Sequence, residues 1–335
     1  MRQAARLTKI FRRDMVSTAA RALLPAKFTG SPGLGRIILE TAKKKNHGVI
    51  FVLLSAICFS IGGLFLKMVP WNALSINGGR ALISAVILAC YMKATHHKLV
   101  VNKQVLLGSV CLLGEMILYV YANQLTTAAN AIILQFTAPI FIILFMWIFF
   151  HQRPRRLDIL TCAVVFGGII LFFIDGLSGG GMLGNLLAVG SGAFYAVVFM
   201  LEAFPEGDSL SSMVITHSFC AVLGIPFILQ ETDFSFAPVM SIIVLGIVQQ
   251  GAAFLCLSKG LKETPPVAAS LVSALEPILN PVWVAIFYGE FPSIIALAGA
   301  AVVIGAVVCY NLQNAKLAKR EAERAAQEEQ QVQAE

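Results

Sequence analysis

The sequence predicts an all-α integral membrane protein whose ten transmembrane helices form two inverted five-helix repeats. Three observations predict this fold class: an apolar composition, a one-sided distribution of basic residues and an internal repeat. Hydrophobic residues make up 58% of the 335 residues and charged residues 13%, whereas soluble domains average about 45–50% and about 25%. The excess of apolar surface is therefore expected to face lipid rather than water.

Ten apolar runs are long enough to cross a bilayer, which takes about 20 mostly apolar residues in a helix. Short polar or Gly/Pro-marked segments separate these runs. All of them are predicted to be helical, because lipid cannot satisfy the polar groups of an open backbone. The predicted spans are residues 49–67, 73–92, 104–123, 128–150, 157–174, 182–201, 211–229, 240–258, 266–288 and 293–312.

The basic residues predict the orientation of these spans. With the N-terminus in the cytoplasm, 23 of the 25 Lys and Arg residues fall on the cytoplasmic side, and the exceptions are Lys67 and Arg80. This distribution follows the positive-inside rule, and nine or eleven helices would scatter it. We therefore expect a multi-pass protein of the cell inner (plasma) membrane with both termini cytoplasmic. Because the basic residues flank apolar spans, we expect a lipid bilayer as partner and no nucleic acid.

Four segments follow from this division of the chain. Residues 1–47 form a basic N-terminal tail, 48–174 a first repeat, 182–312 a second repeat and 313–335 a charged cytoplasmic C-terminal tail. The N-terminal segment leaves three alternatives open. It is rich in arginine and poor in acids, which fits a cytoplasmic tail, an organellar transit peptide or an over-extended start with Met15 as the true first residue.

An internal repeat supports the division into halves. Each half holds an odd number of helices, so the second half is predicted to be inverted relative to the first. Inverted repeats are typical of secondary transporters, whose substrate site lies near the midplane at the repeat interface. A shift of 138 residues aligns the fourth and fifth spans with the ninth and tenth, and pairs Pro139 with Pro277, Pro154 with Pro292 and Gly167 with Gly305.

The fourth span of each half carries a resemblance to a known family. The second repeat reads TPPVAASLVSALEPILNPVWVAIFYGEFP, with Glu276-Pro277 and Gly289-Glu290, and the first reads TTAANAIILQFTAPIFIILFMWIFFHQRP. These segments resemble the EamA-type permeases of the drug/metabolite transporter superfamily. The resemblance covers about residues 48–312. It implies the ten-helix fold and a permease function, and it does not identify the substrate.

The first repeat departs from the pattern of that family. Ala138 stands where a glutamate would precede Pro139, and His151-Gln152 replaces Gly-Glu. Any role implied for those positions therefore cannot be carried over to the first half. Arg80 in the second span matches an arginine that the family often carries there.

Ionisable residues within the spans are the main candidates for function, because each costs at least about 2.5–3.5 kcal/mol to place in hydrocarbon. Glu115 lies in the middle of the third span, with Tyr119 one turn further on. Glu276 lies in the ninth span, with Asn280 one turn further on. For each glutamate two interpretations remain open: a carboxyl group that binds a cationic group or a coupling proton, or a hydrogen bond between helices. Arg80 is expected either to pair with a carboxylate or to bind a ligand directly.

Neutral polar residues and prolines extend this set. Gln135, Gln249 and Gln250 are candidates for lining a cavity, although a residue of this kind, taken alone, is more often a packing residue than a ligand. Pro139 and Pro277 are predicted hinges, since each proline removes one backbone donor and loosens its helix.

No nucleotide-binding, nucleophile or metal-ligand motif is recognised, so we expect no enzyme activity, catalytic residue, metal or cofactor. His97, in the loop after the second span, is expected to be solvated. The function predicted is alternating-access export of a small polar or amphipathic metabolite, such as an amino acid, linked to protons. Uptake of a metabolite is one alternative, and a non-transporting membrane enzyme or scaffold is another. A homodimer is left open.

Overall fold

A computed structural model of the protein describes residues 34–66, 68–126, 128–174, 181–288 and 293–334. Residues 1–33, Lys67 and Gly289-Glu290, about which predictions were made above, lie outside the described residues. Every regular element within the described part is helical, which confirms the predicted all-α class. Residues 43–316 form one compact unit, and the helical segments 34–42 and 317–334 are grouped separately.

The first repeat contains five helical spans, two of them interrupted. Asparagine side chains cap two of the helices: the Asn72 carboxamide accepts from the backbone N–H of Leu74, and that of Asn102 accepts from Val105. Such caps satisfy backbone donors that have no partner within a helix. The helices are α1a (Leu34–Ser60), α1b (Gly62–Leu66), α2 (Ala73–Ala94), α3 (Lys103–Leu125), α4a (Ala128–Gln135), α4b (Ala138–Phe150) and α5 (Arg156–Phe172).

The second repeat has the same order of spans. A short 3₁₀ turn follows its first helix, and π-helical geometry occupies the middle of its third span over Leu245–Ala252. The elements are α6 (Met182–Met200), α7 (Ser209–Ile228), α8 (Phe236–Val244, Leu245–Ala252 and Ala253–Glu263), α9a (Pro266–Ser273), α9b (Glu276–Tyr288) and α10 (Ile294–Ala334).

Eight of the described helical spans are long and apolar enough to cross a membrane. The two others are α5, with 17 residues, and the interrupted span formed by α9a and α9b. The first and last helices extend beyond the predicted spans, because the first begins at Leu34 and the last continues to Ala334. Their apolar parts, His47–Leu66 and Ile294–Leu317, lie close to the predicted spans. The fourth and ninth spans are interrupted near their proline.

The connections between spans lie at two opposite ends of the bundle. At one end, the His97 face, the loop after α2 meets the segment after α6, where His97 Nε2 lies 2.7 Å from a carboxylate oxygen of Asp208. At the other end, the Trp71 face, Trp71 Nε1 donates to the backbone oxygen of Asp233 at 2.6 Å. Successive connections therefore alternate between the two ends, as expected for a multi-pass bundle.

The interior is built largely from helices of different repeats packed against each other. The most extensive pairs are α2 with α7 and α3 with α6, and α2 also packs along the π-helical part of α8. The α2–α7 crossing is closest at Gly78 and Gly224, where a Cβ atom on Gly78 would lie 2.5 Å from the Gly224 Cα. Small residues permit such close approach in membrane bundles. The centre of the bundle is therefore an interface between the repeats.

Candidate substrate-binding site

The fourth span breaks in the middle, next to Pro139. Helix α4a ends at Gln135, and α4b begins at Ala138 with Pro139 in its first turn. A proline there lacks the N–H that would bond to the Gln135 carbonyl, so the helical ladder is interrupted. Gly192 of α6 packs directly on this break, because a Cβ atom on it would lie 2.6 Å from the Gln135 carbonyl oxygen.

The ninth span breaks at the equivalent place. Helix α9a ends at Ser273 and α9b begins at Glu276, followed by Pro277. All four ends of α9a and α9b lie 138 residues after the corresponding ends of α4a and α4b. The repeat offset found in the sequence is therefore also the offset of the two interruptions.

A hydrogen bond links the α4 break to the predicted carboxyl group of α3. Gln135, the last residue of α4a, donates from Nε2 to Glu115 Oε1 at 2.5 Å. Both side chains are buried. The amide thus holds Glu115 in a fixed orientation at the place where the backbone of the fourth span is interrupted.

Arg80 of α2 lies close to Glu115 without forming an ion pair with it. The guanidinium donates from Nη1 to Gln249 Oε1 of α8 at 3.1 Å and from Nη2 to the carboxamide oxygen of Asn77. It is near enough to Glu115 for their opposite charges to attract. Among the described residues the hydrogen bonds of Arg80 go to amide oxygens, so its pairing with a carboxylate, one of the two roles expected for it, is limited there to this electrostatic attraction.

Glu276 belongs to the same polar region. It begins α9b at the position where α4b has Ala138, and it lies within electrostatic range of Glu115. Tyr195 of α6 lies within electrostatic range of both glutamates. Arg80 and Glu276 are each partly buried. The polar side chains of this region thus come from helices of both repeats.

The two adjacent glutamines of α8 lie in its π-helical stretch. Such widened turns occur frequently at functional sites. Gln249 reaches Arg80 and also packs on Gly62, where a Cβ atom would lie 3.2 Å from its Nε2. Gln250 is buried, and its Oε1 has no hydrogen-bond partner in the described part of the chain.

The remaining predicted site residues lie beside this group of side chains or have side chains outside the described residues. Tyr119 lies one turn after Glu115 on α3 and is partly buried. The side chain of Asn280 lies outside the described residues. Pro139 and Pro277 occupy the first turn of α4b and of α9b, beside the two interruptions. The structure thus brings together Arg80, Glu115, Gln135, Gln249 and Glu276 of the predicted set.

His217 is a buried polar residue that the sequence analysis missed. It is fully buried in α7, its Nδ1 lies 2.7 Å from the Met213 carbonyl oxygen, and its ring packs edge-on against Phe254 of α8 with centroids 4.6 Å apart. It is also close enough to Arg80 to interact electrostatically. The rule that singled out Glu115, an ionisable group within an apolar span, would have identified it.

A second polar cluster lies at the His97 face. Asp208 accepts hydrogen bonds from Ser211 and His97, and Lys262 Nζ lies 3.7 Å from its other oxygen. Partial burial would raise the pKa of Asp208, but these hydrogen bonds and the attraction to His97 and Lys262 outweigh burial and lower it. The expectation that His97 is merely solvated is therefore wrong, because its ring joins the loop after α2 to the segment after α6.

Apolar helices around a polar interior between two repeats define a multi-pass membrane transporter of small solutes. Two stretches of the chain, residues 46–174 and 182–312, match the model of the EamA-like transporter family. The chain belongs to this family, which confirms the resemblance and the two-repeat architecture. The matched residues begin and end close to the predicted repeat boundaries.

Individual relatives agree with this assignment. The mouse protein named solute carrier family 35 member G1 is 23% identical over 82% of this chain and 83% of its own length. The uncharacterized transporter YwfM of Bacillus subtilis is 25% identical over 78% of this chain and 92% of its own length. A solved crystal structure superposes with a TM-score of 0.70 at 16% identity, covering 80% of this chain and 98% of that one, which shows a shared fold. These relatives are named as transporters and not as enzymes, as predicted.

Proposed function

We propose that the protein is a secondary transporter that moves a small metabolite by alternating access between the two repeats. The observation that carries this proposal is the matched pair of interruptions in the fourth and ninth spans, with a polar interior beside them. Broken helices near the midplane are where transporters of this kind bind substrate and change shape. Pro139 and Pro277 are the proposed hinges.

An inverted relation between the repeats is part of the proposal. Helix α1 passes Gly48 beside Glu263 at the end of α8, and that end reaches the His97 face through Lys262. Helix α6 begins at the opposite end, where Gly181 packs on Leu125 at the end of α3. The first membrane crossings of the two repeats therefore run in opposite directions, which supports inversion.

The charges in the interior support a zwitterionic or cationic substrate and a coupled proton. Arg80 supplies one permanent positive charge, since a guanidinium does not titrate in proteins. Glu115 and Glu276 together supply two carboxyl groups close enough to repel each other. One guanidinium can balance one carboxylate, so the second carboxyl group is left to bind a proton or the cationic group of a substrate such as an amino acid.

The direction and location proposed are export across the cell inner (plasma) membrane, with both termini and the His97 face in the cytoplasm. The loops at that face carry Lys98, Arg153 and Arg155, and Lys262 lies in the last turn of α8. The positive-inside rule predicts a cytoplasmic location for such basic segments.

The test is transport by purified protein in proteoliposomes loaded with radiolabelled amino acids, with and without a pH gradient. We expect efflux in the wild type. Glu115→Gln should abolish it or remove its response to the gradient, because the amide keeps the Gln135 contact but cannot ionise. Glu206→Gln, on an exposed carboxylate between α6 and α7, is the matched control and should transport normally. An active, normally pH-dependent Glu115→Gln variant would leave Glu115 with a packing role only.

A further inference from the structure

Helices α2 and α7, one from each repeat, are joined by hydrogen bonds at the Trp71 face. Glu231 lies in the loop after α7, and its Oε1 accepts two hydrogen bonds from the start of α2. The donors are the backbone N–H of Asn72 at 2.7 Å and the hydroxyl of Ser75 at 2.6 Å. Because Asn72 is the N-cap residue of α2, this contact holds the first turn of α2 against the loop that follows α7.

The contact at the His97 face has the same arrangement with the repeats exchanged. The hydroxyl of Ser211, in the first turn of α7, accepts from the backbone N–H of Val100 in the loop after α2 at 3.0 Å. Asp208, the N-cap residue of α7, contacts the same loop through His97. Ser75 and Ser211 follow their N-cap residues by the same number of positions, and both are fully buried. These two junctions are the end contacts of the α2–α7 pair.

Between the end contacts the two backbones meet at Gly78 and Gly224. A Cβ atom on Gly78 would lie 2.5 Å from the Gly224 Cα, and one on Gly224 would lie 3.3 Å from the Leu74 carbonyl oxygen. Small residues allow this close approach. Closely packed backbones cannot slide or tilt past each other without collision. The pair is therefore held in the middle as well as at both ends.

The connections that precede the broken spans differ between the two faces, unlike the end contacts. At the Trp71 face, Thr126 before α4a donates to the Asn185 carboxamide oxygen of α6 at 2.7 Å. Thr264 has the equivalent place before α9a at the His97 face, 138 residues further on. It packs on Gly48 of α1, and its buried hydroxyl has no hydrogen-bond partner in the part of the chain that the structure describes. Of these two threonines, only the first therefore links the repeats by a hydrogen bond among the described residues.

We propose that the α2–α7 pair is a fixed axis of the transport cycle and that each face opens beside it. The Trp71 face opens between α6 and the α3–α4 connection, and the His97 face opens between α1 and the α8–α9 connection. Inverted repeats exchange conformations when access changes sides. A contact that both repeats make in the same way is therefore kept, as at the end contacts, and one that differs between them is made or broken, as at the two threonines. This inference rests on the proposed alternating access and names the parts that move.

Reversible crosslinking of the full-length protein in proteoliposomes tests this division. Two double variants are compared in a background lacking the native cysteines: Asn72→Cys/Glu231→Cys across an end contact, and Thr126→Cys/Asn185→Cys across the proposed opening. They are matched, because both pairs lie at the Trp71 face and each is joined by a 2.7 Å hydrogen bond between the repeats. Each is linked with a short bifunctional methanethiosulfonate and assayed for transport of radiolabelled amino acids.

Crosslinking of the two pairs should have opposite consequences. We expect the end-contact variant to transport equally well before and after linking. The variant across the opening should lose transport when linked and recover it on reduction. Loss of transport on linking the end contact, or undiminished transport with the opening linked, would overturn the proposal.

Nitroxide labels on the same cysteine pairs give a readout that needs no substrate, and His97→Cys/Asp208→Cys adds the end contact of the other face. We expect dipolar broadening to show one close population at both end contacts and a second, separated population across the opening. Separation of the labels at either end contact would contradict a fixed axis. A single close population at every pair would instead reject the alternating access on which the proposal rests.

Discussion

The broken spans of the two repeats share a backbone design but differ in chemistry. In the first repeat the interruption follows Gln135 and precedes Ala138, whereas in the second it follows Ser273 and precedes Glu276. Gln135 thus ends the first half-helix in the first repeat, whereas Glu276 begins the second half-helix in the second repeat. The comparison teaches that proline and the repeat determine where the backbone breaks, while each repeat supplies its own side chain to the interior.

The largest effect is expected from making the second repeat resemble the first. Glu276→Ala gives α9b the alanine that α4b has at the equivalent position. We expect transport to be lost in the proteoliposome assay while the protein still folds, because a carboxyl group is removed and no new charge is buried. Ile278→Val, two residues further on at a buried site, is the control and should keep transport. Wild-type transport by Glu276→Ala would mean that the asymmetry between the repeats has no functional role.

A smaller effect is expected where α6 packs on the first interruption. Gly192→Ala places a methyl group 2.6 Å from the Gln135 carbonyl oxygen, while on Gly190 the nearest atom is Leu118 Cδ1 at 3.4 Å. Overpacking against backbone costs about 1–3 kcal/mol, so Gly192→Ala should lower the melting temperature in detergent. Gly190→Ala on the same helix should not. Equal melting temperatures would show that α6 does not hold the α4 interruption in place.

The smallest effect is expected at the two ends of the bundle, where a carboxylate of the His97 face is compared with one of the Trp71 face. The lowered pKa of Asp208 means that its ionised form is stabilised by the fold. This stability is present above the ordinary pKa of 3.8 and is lost as the pH falls through the lower folded value. Asp208→Asn should therefore cost about 1 kcal/mol at neutral pH, the typical net contribution of one hydrogen bond, and the cost should vanish in acid.

Asp233→Asn at the Trp71 face is the comparison for this measurement. Asp233 is exposed, and its pKa is lowered by hydrogen bonds with the neighbouring Ser235 alone among the contacts described, so its charge should contribute less stability than that of Asp208. Thermal unfolding across pH compares the two variants. A cost of Asp208→Asn that persists unchanged below pH 3.8 would contradict the role given to its charge.

Much of this architecture follows from the sequence. Prolines in register indicate where both spans are weakened, because proline cannot continue the backbone ladder, and the 138-residue offset in the sequence recurs in the helix ends. Apolar runs predict most spans. The candidate site follows in part, since ionisable residues in apolar runs identify Arg80, Glu115 and Glu276.

Other features depend on packing and could not be predicted. The π-helical stretch around Gln249 and Gln250 has no signature in a single sequence. The amide partners of Arg80 depend on how α2 and α8 meet, which helical periodicity does not specify. The contact between His97 and Asp208 joins residues 111 positions apart, and such long-range pairs cannot be deduced from local patterns.

The central claim is that the two interruptions are equivalent hinges of inverted repeats. The most direct test measures cysteine accessibility from each side of the membrane for Pro139→Ala and Pro277→Ala, in a background lacking the seven native cysteines. Restoring a backbone donor should stiffen one repeat at a time. The account predicts opposite shifts, one variant toward the inward-open and the other toward the outward-open state. Shifts in the same direction, or no shift in either variant, would contradict it.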